Sequence, residues 1–106
     1  MATIEGVEID LTPTSGMKEE AQRYRDWKAD GEAGGTEVAA RRATQILSGN
    51  ELSADTVLQM NSFFARHKVD KQAEGFSPGE DGYPSPGRVA WAAWGGDPGM
   101  RWSSGK

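Results

Sequence analysis

Residues 63–102 read FFARHKVDKQAEGFSPGEDGYPSPGRVAWAAWGGDPGMRW and hold three of the four tryptophans, all three phenylalanines, the single histidine and four of the five prolines of the chain. Aromatic side chains bury large apolar areas, so we expect the core to form around this segment. The chain has 106 residues, which fits one small domain. A domain of that size buries only roughly 60 to 65% of its unfolded surface, so its stability margin is thin.

The composition is polar, acidic and free of cysteine, with a formal net charge of -4. The lack of cysteine excludes disulfides, zinc–thiolate clusters and thiol nucleophiles. The acidic balance argues against a protein that coats nucleic acid through its overall field. The sequence shows neither a basic leader nor an apolar run long enough to span a membrane, which predicts a soluble intracellular product without a membrane partner.

Apolar residues at helical spacing predict a mainly α, small single domain of four to five short helices. The expected N-caps are Ser15, Thr36, Ser53, Ser85 and Asp97, the last two each followed by proline. Glycines are expected to end the helices, except that the third should end near Lys68. The predicted buried faces are Met17, Ala21, Tyr24 and Trp27; Val38, Ala39, Ala43, Ile46 and Leu47; Val57, Met60, Phe63 and Phe64; and Val89, Ala90, Trp91, Ala93 and Trp94.

A long loop rich in glycine and proline is predicted between Asp70 and Pro84. Within it, Pro78 and Gly79 are typical of a type II turn, because proline presets the first central angle and glycine tolerates the second. The loop also contains Phe76 and Tyr83. We expect these two rings to hold the loop against the core.

Residues 1–14 precede the predicted compact helical domain at 15–104 and are expected to form an extended N-terminal arm. Their apolar residues, Ile4, Val7, Ile9 and Leu11, alternate with polar and acidic ones, as in a short edge strand. A strand without a partner is unstable alone, which favours an arm that becomes ordered against a neighbouring molecule. A disordered terminus is the alternative.

The residues give no catalytic constellation, so we predict neither an enzyme nor a cofactor. The sharpest polar cluster lies at the end of the third helix and consists of Arg66, His67, Asp70, Lys71 and Glu74. A metal pair of histidine and carboxylate is a weaker interpretation than a half-buried histidine bonded to a loop carbonyl, because one histidine without cysteine makes a poor ligand set. We therefore expect no metal site. A glycine-flanked nucleophile is absent as well.

Basic residues suggest one alternative site. Side chains that could contact nucleic acid, with Trp91 or Phe63 as stacking surfaces, are Arg41, Arg42, Arg66, Lys68 and Arg88. The competing interpretation is a solvated set of helix-end charges paired with nearby acids. The two interpretations differ in whether these side chains are free on the surface.

The chain resembles a small family of tailed-bacteriophage proteins over about residues 16–102. The resemblance lies in FFARH and DK at 63–71, EGF and PGE at 74–80, PSPGRVAW at 84–91 and WGGD at 94–97. The upstream residues GMK at 16–18, WK at 27–28 and GGTEV at 34–38 fit the same family. Similar segments accompany head-maturation and capsid genes. The arm at 1–14 lies outside the resemblance.

That association implies a virion structural protein, made in the host cytoplasm and associated with the capsid as a minor or decoration protein. Its implied partners are capsid or other virion proteins, with a homo-oligomer as a further option. The residues expected to bind a partner are Ile4, Val7, Ile9 and Leu11 of the arm and Phe76 and Tyr83 of the loop. A phage nucleic-acid-binding accessory protein is the alternative function.

Overall fold

The computed structural model describes residues 2–4 and 7–105, with side chains from residue 10 onward. Two short strands, β1 (Ala2–Ile4) and β2 (Val7–Ile9), precede the helices α1 (Ser15–Ala29), α2 (Glu37–Ser48), α3 (Ala54–His67), α4 (Pro86–Ala93) and α5 (Gly96–Ser104). A 3₁₀ helix, Lys68–Gln72, continues from α3. The predicted mainly α fold is confirmed. Within the described part of the chain, no helix is both long and apolar enough to cross a bilayer.

Local capping chemistry sets three of the helix starts as predicted. The Thr36 hydroxyl accepts a hydrogen bond from the Ala39 N–H at 3.2 Å and begins α2. Ser53 and Ser85 begin α3 and α4 in the same way, each at 3.1 Å from the N–H three residues on. Each hydroxyl satisfies a backbone donor that has no partner within its helix.

Two predicted caps are wrong. Thr14 rather than Ser15 caps α1, because its hydroxyl accepts from the Met17 N–H at 3.3 Å. Asp97 does not cap α5; that helix begins at Gly96, after Gly95 in the left-handed conformation. The Asp97 carboxylate instead accepts the indole N–H of Trp91. A buried indole donor takes precedence over the cap because it has no access to water.

Helix α4 lies at the centre of the fold and packs against each of the other four α-helices. The side chains of Val89, Trp91, Ala92 and Ala93 are almost completely buried. The Trp91 ring meets Phe64 of α3 at 4.8 Å and Phe76 of the long loop at 5.9 Å, both edge to face. The predicted core segment is thus the core of the molecule, and Phe76 fixes the loop to it as expected.

The prediction for α2 is wrong at one position, because Val38 lies 42% exposed rather than on the buried face. The buried face of α2 consists of Ala39, Ala43 and Ile46. The predicted turn in the long loop is present: the Glu80 N–H donates to the Ser77 carbonyl at 3.2 Å, and Gly79 has a φ of +91°. Only glycine enters that backbone region without strain.

A buried ion pair joins α1 to α4. The Arg88 Nη2 donates to the Glu20 Oε1 at 2.8 Å, and each side chain is about one-tenth exposed. The guanidinium also lies over the rings of Trp27, at 5.1 Å, and Phe76, at 5.7 Å. Arg23 approaches the second oxygen of Glu20 at 3.1 Å. Two arginines therefore neutralise one buried carboxylate.

Room for this carboxylate depends on the glycines between α4 and α5. Gly95 and Gly96 have φ values of +105° and +63°, so the chain reverses between the two helices without an intervening loop. A Cβ on Gly96 would lie 2.2 Å from the Glu20 Oε1. The connection between α4 and α5 is therefore tight. Any larger residue at 96 would push Glu20 away from Arg88.

The N-terminal residues form a hairpin and then join the helical body. β1 and β2 pair antiparallel, with Ala2 opposite Ile9 and Ile4 opposite Val7. Leu11 is 1% exposed, and its carbonyl accepts from the Leu52 N–H at 3.0 Å. Pro13 is also buried. The arm is therefore shorter than the predicted 1–14, because Leu11 and Pro13 are buried against the helical body.

We expect the Trp91→Ala variant to lose about 3 to 5 kcal/mol of unfolding free energy, because it leaves a cavity where the rings of three elements meet. Guanidinium denaturation measures this loss. Val69→Ala, at a side chain that is 65% exposed, is the control and should change stability very little. Native-like stability of the Trp91→Ala variant would show that the core lies elsewhere.

We expect Arg88→Ala to destabilise the fold by about 3 kcal/mol, since Glu20 would stay buried without its main partner. Replacing both residues by methionine should cost much less, because no buried charge is left unpaired. Arg41→Ala is the control on an exposed arginine. An equal loss in the single and the double variant would contradict this account.

Candidate functional site

An open groove of about 760 Å³ runs between α2, α3 and the first half of α4. Its volume lies in the range of pockets that bind ligands or peptide segments. The floor is formed by apolar side chains, among them Ala39, Phe63, Ala90 and Trp94. Two exposed apolar side chains line the groove, Leu58 at 64% and Val38 at 42% exposure. We call this surface the α2–α4 groove.

A stack of four side chains supports the floor of the groove. The ring of Phe63 lies between His67 and Trp94, with both centroid distances at 4.6 Å and interplanar angles of 28° and 10°. The Arg42 guanidinium covers Trp94, 5.5 Å from the ring centroid. Gln45 and Gln59 hold Arg42 there by hydrogen bonds. Burial, together with the neighbouring charge of Arg41, lowers the pKa of Arg42 from its usual value.

Polar side chains occupy one end of the groove. His67 and Asp70 form a pair, with the Nδ1 and Oδ2 atoms 3.2 Å apart, and Arg66 is exposed beside them. His67 therefore bonds a carboxylate rather than the predicted loop carbonyl. Among the described residues, no group of three or more histidines and carboxylates is placed to hold a metal ion.

Lys71, another residue of the predicted polar cluster, points away from the groove and towards Asp97. Lys71 donates to the Asp97 Oδ1 at 3.0 Å, and the Trp91 Nε1 donates to the same oxygen at 2.9 Å. Burial of Asp97 alone would raise its pKa. The hydrogen bonds from Lys71 and Trp91, with the charges of Lys71 and Arg101, outweigh that effect and lower the pKa of Asp97 below its usual value.

Of the residues predicted to bind a partner, Leu11, Phe76 and Tyr83 have described side chains. Leu11 and Phe76 are buried within the chain itself, so neither is available on the surface, which corrects the prediction for these two. Tyr83 is half-buried and packs edge to face on Trp27 at 5.7 Å. The side chains of Ile4, Val7 and Ile9 lie outside the described part of the structure.

The basic residues predicted to contact nucleic acid differ in their exposure. Arg88 is buried in the ion pair with Glu20, so its assignment to a nucleic-acid surface is wrong. Arg42 covers Trp94 and is half-buried. Arg41, Arg66 and Lys68 are exposed. The predicted stacking surfaces are not free, because Trp91 is buried and both faces of Phe63 are covered.

Leu58 was not predicted as a site residue, and Val38 was predicted to be buried. Together these two side chains give the groove its exposed apolar character. The signal was present for Leu58, since it follows Val57 and so falls outside the stripe formed by Val57, Met60 and Phe64. Leu58 thus lies exposed on the otherwise polar side of α3, where it lines the groove.

Searches of family models, of curated proteins and of solved structures each found no match to this chain.

We expect the pH dependence of stability to report on Asp97. Because folding lowers its pKa, the ionised carboxylate stabilises the fold above its unfolded pKa of about 4, and this contribution is lost as the pH falls below that value. Asp97→Asn should therefore lower the melting temperature at neutral pH, and the difference from the wild type should shrink below about pH 4.

The exposed loop variant Asp81→Asn is the control for loss of one negative charge. A difference between the wild type and Asp97→Asn that stays constant down to strongly acidic pH would show that the charge on Asp97 does not stabilise the fold.

Proposed function

We propose that this chain is a structural protein of a bacteriophage virion that associates with the capsid through protein–protein contacts. The observation that carries the proposal is the α2–α4 groove, an apolar surface that exposes Leu58 and Val38. Apolar side chains exposed together beside a groove are candidates for contact with another macromolecule. The groove is therefore the proposed site of contact.

The chemistry of the groove fits a partner chain better than a reaction. Its histidine is paired with a carboxylate at one end, and its floor consists of packed rings and small alanines. Such a floor offers shape and apolar area, which is what protein–protein interfaces use at their centre. The exposed Arg66 and the His67–Asp70 pair supply the polar rim that surrounds such a centre.

The phage context comes from the resemblance of residues 16–102 to proteins that accompany head-maturation and capsid genes. Several residues that carry this resemblance build the fold. Trp91 is part of the core, and Gly96 is part of the connection between α4 and α5. Arg88 forms the buried ion pair with Glu20. The resemblance thus supports a shared architecture. The association of similar segments with head-maturation and capsid genes supports a role in the phage head.

Mass spectrometry of purified particles tests the proposal, with this protein quantified against the major capsid protein. A fixed ratio in full and in empty particles is the expected result, because a structural contact to the shell does not depend on packaged DNA.

Absence from particles would contradict the virion role. If absence were combined with DNA binding that weakens steeply with salt, the nucleic-acid-binding alternative would replace the proposal.

A further inference from the structure

A second cleft, of about 230 Å³, lies between α1, the long loop, α4 and α5. It is separate from the α2–α4 groove, since the two linings share no residue. The lining combines charged and apolar side chains and includes members of both polar contacts of α4: Glu20, Phe76, Arg88, Trp91, Asp97 and Pro98. We call this space the α4–α5 cleft.

Arg88 brings to the cleft a donor that the protein itself does not use. The Arg88 Nη2 donates to Glu20, whereas the Nη1 is buried and has no acceptor among the described residues. The side chain is only 10% exposed, so bulk solvent offers little compensation. Buried polar atoms are nearly always hydrogen-bonded, and an exception calls for an explanation. Because Arg88 lines the cleft, a ligand bound there can supply the acceptor.

Asp97 brings an acceptor to the same cleft. Lys71 and Trp91 both donate to the Asp97 Oδ1, and neither bond uses the Oδ2 atom. The lowered pKa of Asp97 keeps this carboxylate ionised at neutral pH. Glu20 differs, because Arg88 and Arg23 each occupy one of its two oxygens. The cleft therefore offers one donor, on Arg88, and one acceptor, on Asp97.

The charges around the cleft disfavour an ion of either sign. An anion that accepts from Arg88 would also approach the carboxylates of Glu20 and Asp97. A cation that donates to Asp97 would approach Arg88 and Lys71. Like charges at contact distance repel each other strongly in a partly desolvated site. A primary amide avoids both repulsions, because it is neutral, its carbonyl oxygen accepts and its NH₂ group donates.

The enclosure of the cleft favours a small molecule over a protein segment. Four of its six lining residues are buried, including Phe76 at 8% and Trp91 at 1% exposure. Pockets that combine apolar walls with a few polar atoms fixed in place are typical of small-molecule sites. The ion pair of Arg88 with Glu20 and the bonds of Asp97 to Trp91 and Lys71 hold the two polar groups in place.

We propose that the α4–α5 cleft binds a small neutral molecule that carries a primary amide. The amide oxygen accepts from the Arg88 Nη1, and the amide NH₂ group donates to the Asp97 Oδ2. This site goes beyond the capsid contact proposed for the α2–α4 groove, and its occupancy does not depend on that contact.

Two-dimensional proton–nitrogen NMR of the full chain tests the proposal. The indole N–H signal of Trp91 reports on the cleft, because this group donates to Asp97. The probes are acetamide, acetate and acetamidinium, which have the same planar shape and are neutral, negative and positive. Acetamide should cause a saturable shift in the millimolar range, as expected for so few atoms. The two ions should bind at least about tenfold more weakly, because each meets like charges.

Two variants alter the two polar atoms separately. Arg88→Lys keeps a positive charge beside Glu20 but removes the Nη1 donor. Asp97→Asn keeps an oxygen for Trp91 and Lys71 and places an NH₂ donor where the Oδ2 acceptor was. Each should weaken acetamide binding by about tenfold or more, because each leaves one amide atom without a partner.

The matched controls are Arg41→Lys and Asp81→Asn, at exposed positions outside the cleft. They should bind acetamide within about threefold of the wild type, as is usual for surface substitutions. Far-UV circular dichroism checks that all four variants fold. Since the two cleft variants act on different elements, either one that folds decides the test.

The absence of a saturable shift with acetamide would overturn the proposal. Acetate or acetamidinium binding as tightly as acetamide, or a folded cleft variant that binds like the wild type, would also overturn it. N-acetylglutamine methylamide carries the same amide on a piece of peptide chain and should bind no more tightly than acetamide. Tighter binding of that probe would replace the small molecule by a glutamine side chain of a partner protein.

Discussion

The indole N–H of Trp91 imposes the constraint on which the rest of the structure depends. The ring is buried at the centre of the fold, so its single donor must find an acceptor inside the protein. Asp97 supplies that acceptor at 2.9 Å, and Lys71 compensates its charge at 3.0 Å. One hydrogen bond thus ties α4 to the start of α5 and, through Lys71, to the 3₁₀ helix. The rings of Phe64 and Phe76 complete the enclosure.

A second polar contact organises the other side of α4. Glu20 and Arg88 are buried together, and Gly96 leaves the space that the Glu20 carboxylate occupies. Burying an ion pair rarely adds much stability over apolar residues of the same size, but it strongly penalises any arrangement that separates the two charges. We therefore attribute to this pair the fixed register between α1 and α4, and to the aromatic contacts most of the favourable energy. The lining of the α2–α4 groove contains none of Glu20, Arg88 or Asp97, so the groove is separate from both polar contacts.

Much of the fold could be predicted from local chemistry. Hydroxyl caps at Thr36, Ser53 and Ser85, together with apolar spacing, were sufficient because these signals act within one helical turn. Two of the failures have a common cause. Asp97 was expected to cap a helix and Arg88 to lie on the surface. Asp97 instead accepts a hydrogen bond from the buried Trp91, and Arg88 pairs with Glu20, which is distant in sequence. Contacts of this kind leave no periodic pattern in the sequence.

The candidate site was less predictable than the fold. A groove is formed by what neighbouring helices leave uncovered, and this depends on their packing angles, which no single residue encodes. Leu58 carried a readable signal because it breaks the amphipathic pattern of α3. Val38 did not, because it is the neighbour of the buried Ala39, and an apolar residue at that place fits the edge of the core as well as an exposed groove.

The anchoring of Leu11 has a mechanical consequence. Its side chain is buried and its carbonyl is bonded to Leu52, so tension applied to the hairpin enters the helical body at the connection between α2 and α3. That connection carries neither the Trp91 hydrogen bond nor the Glu20–Arg88 pair. Force on the N-terminal residues therefore reaches the protein away from the two polar contacts that hold α4 in place.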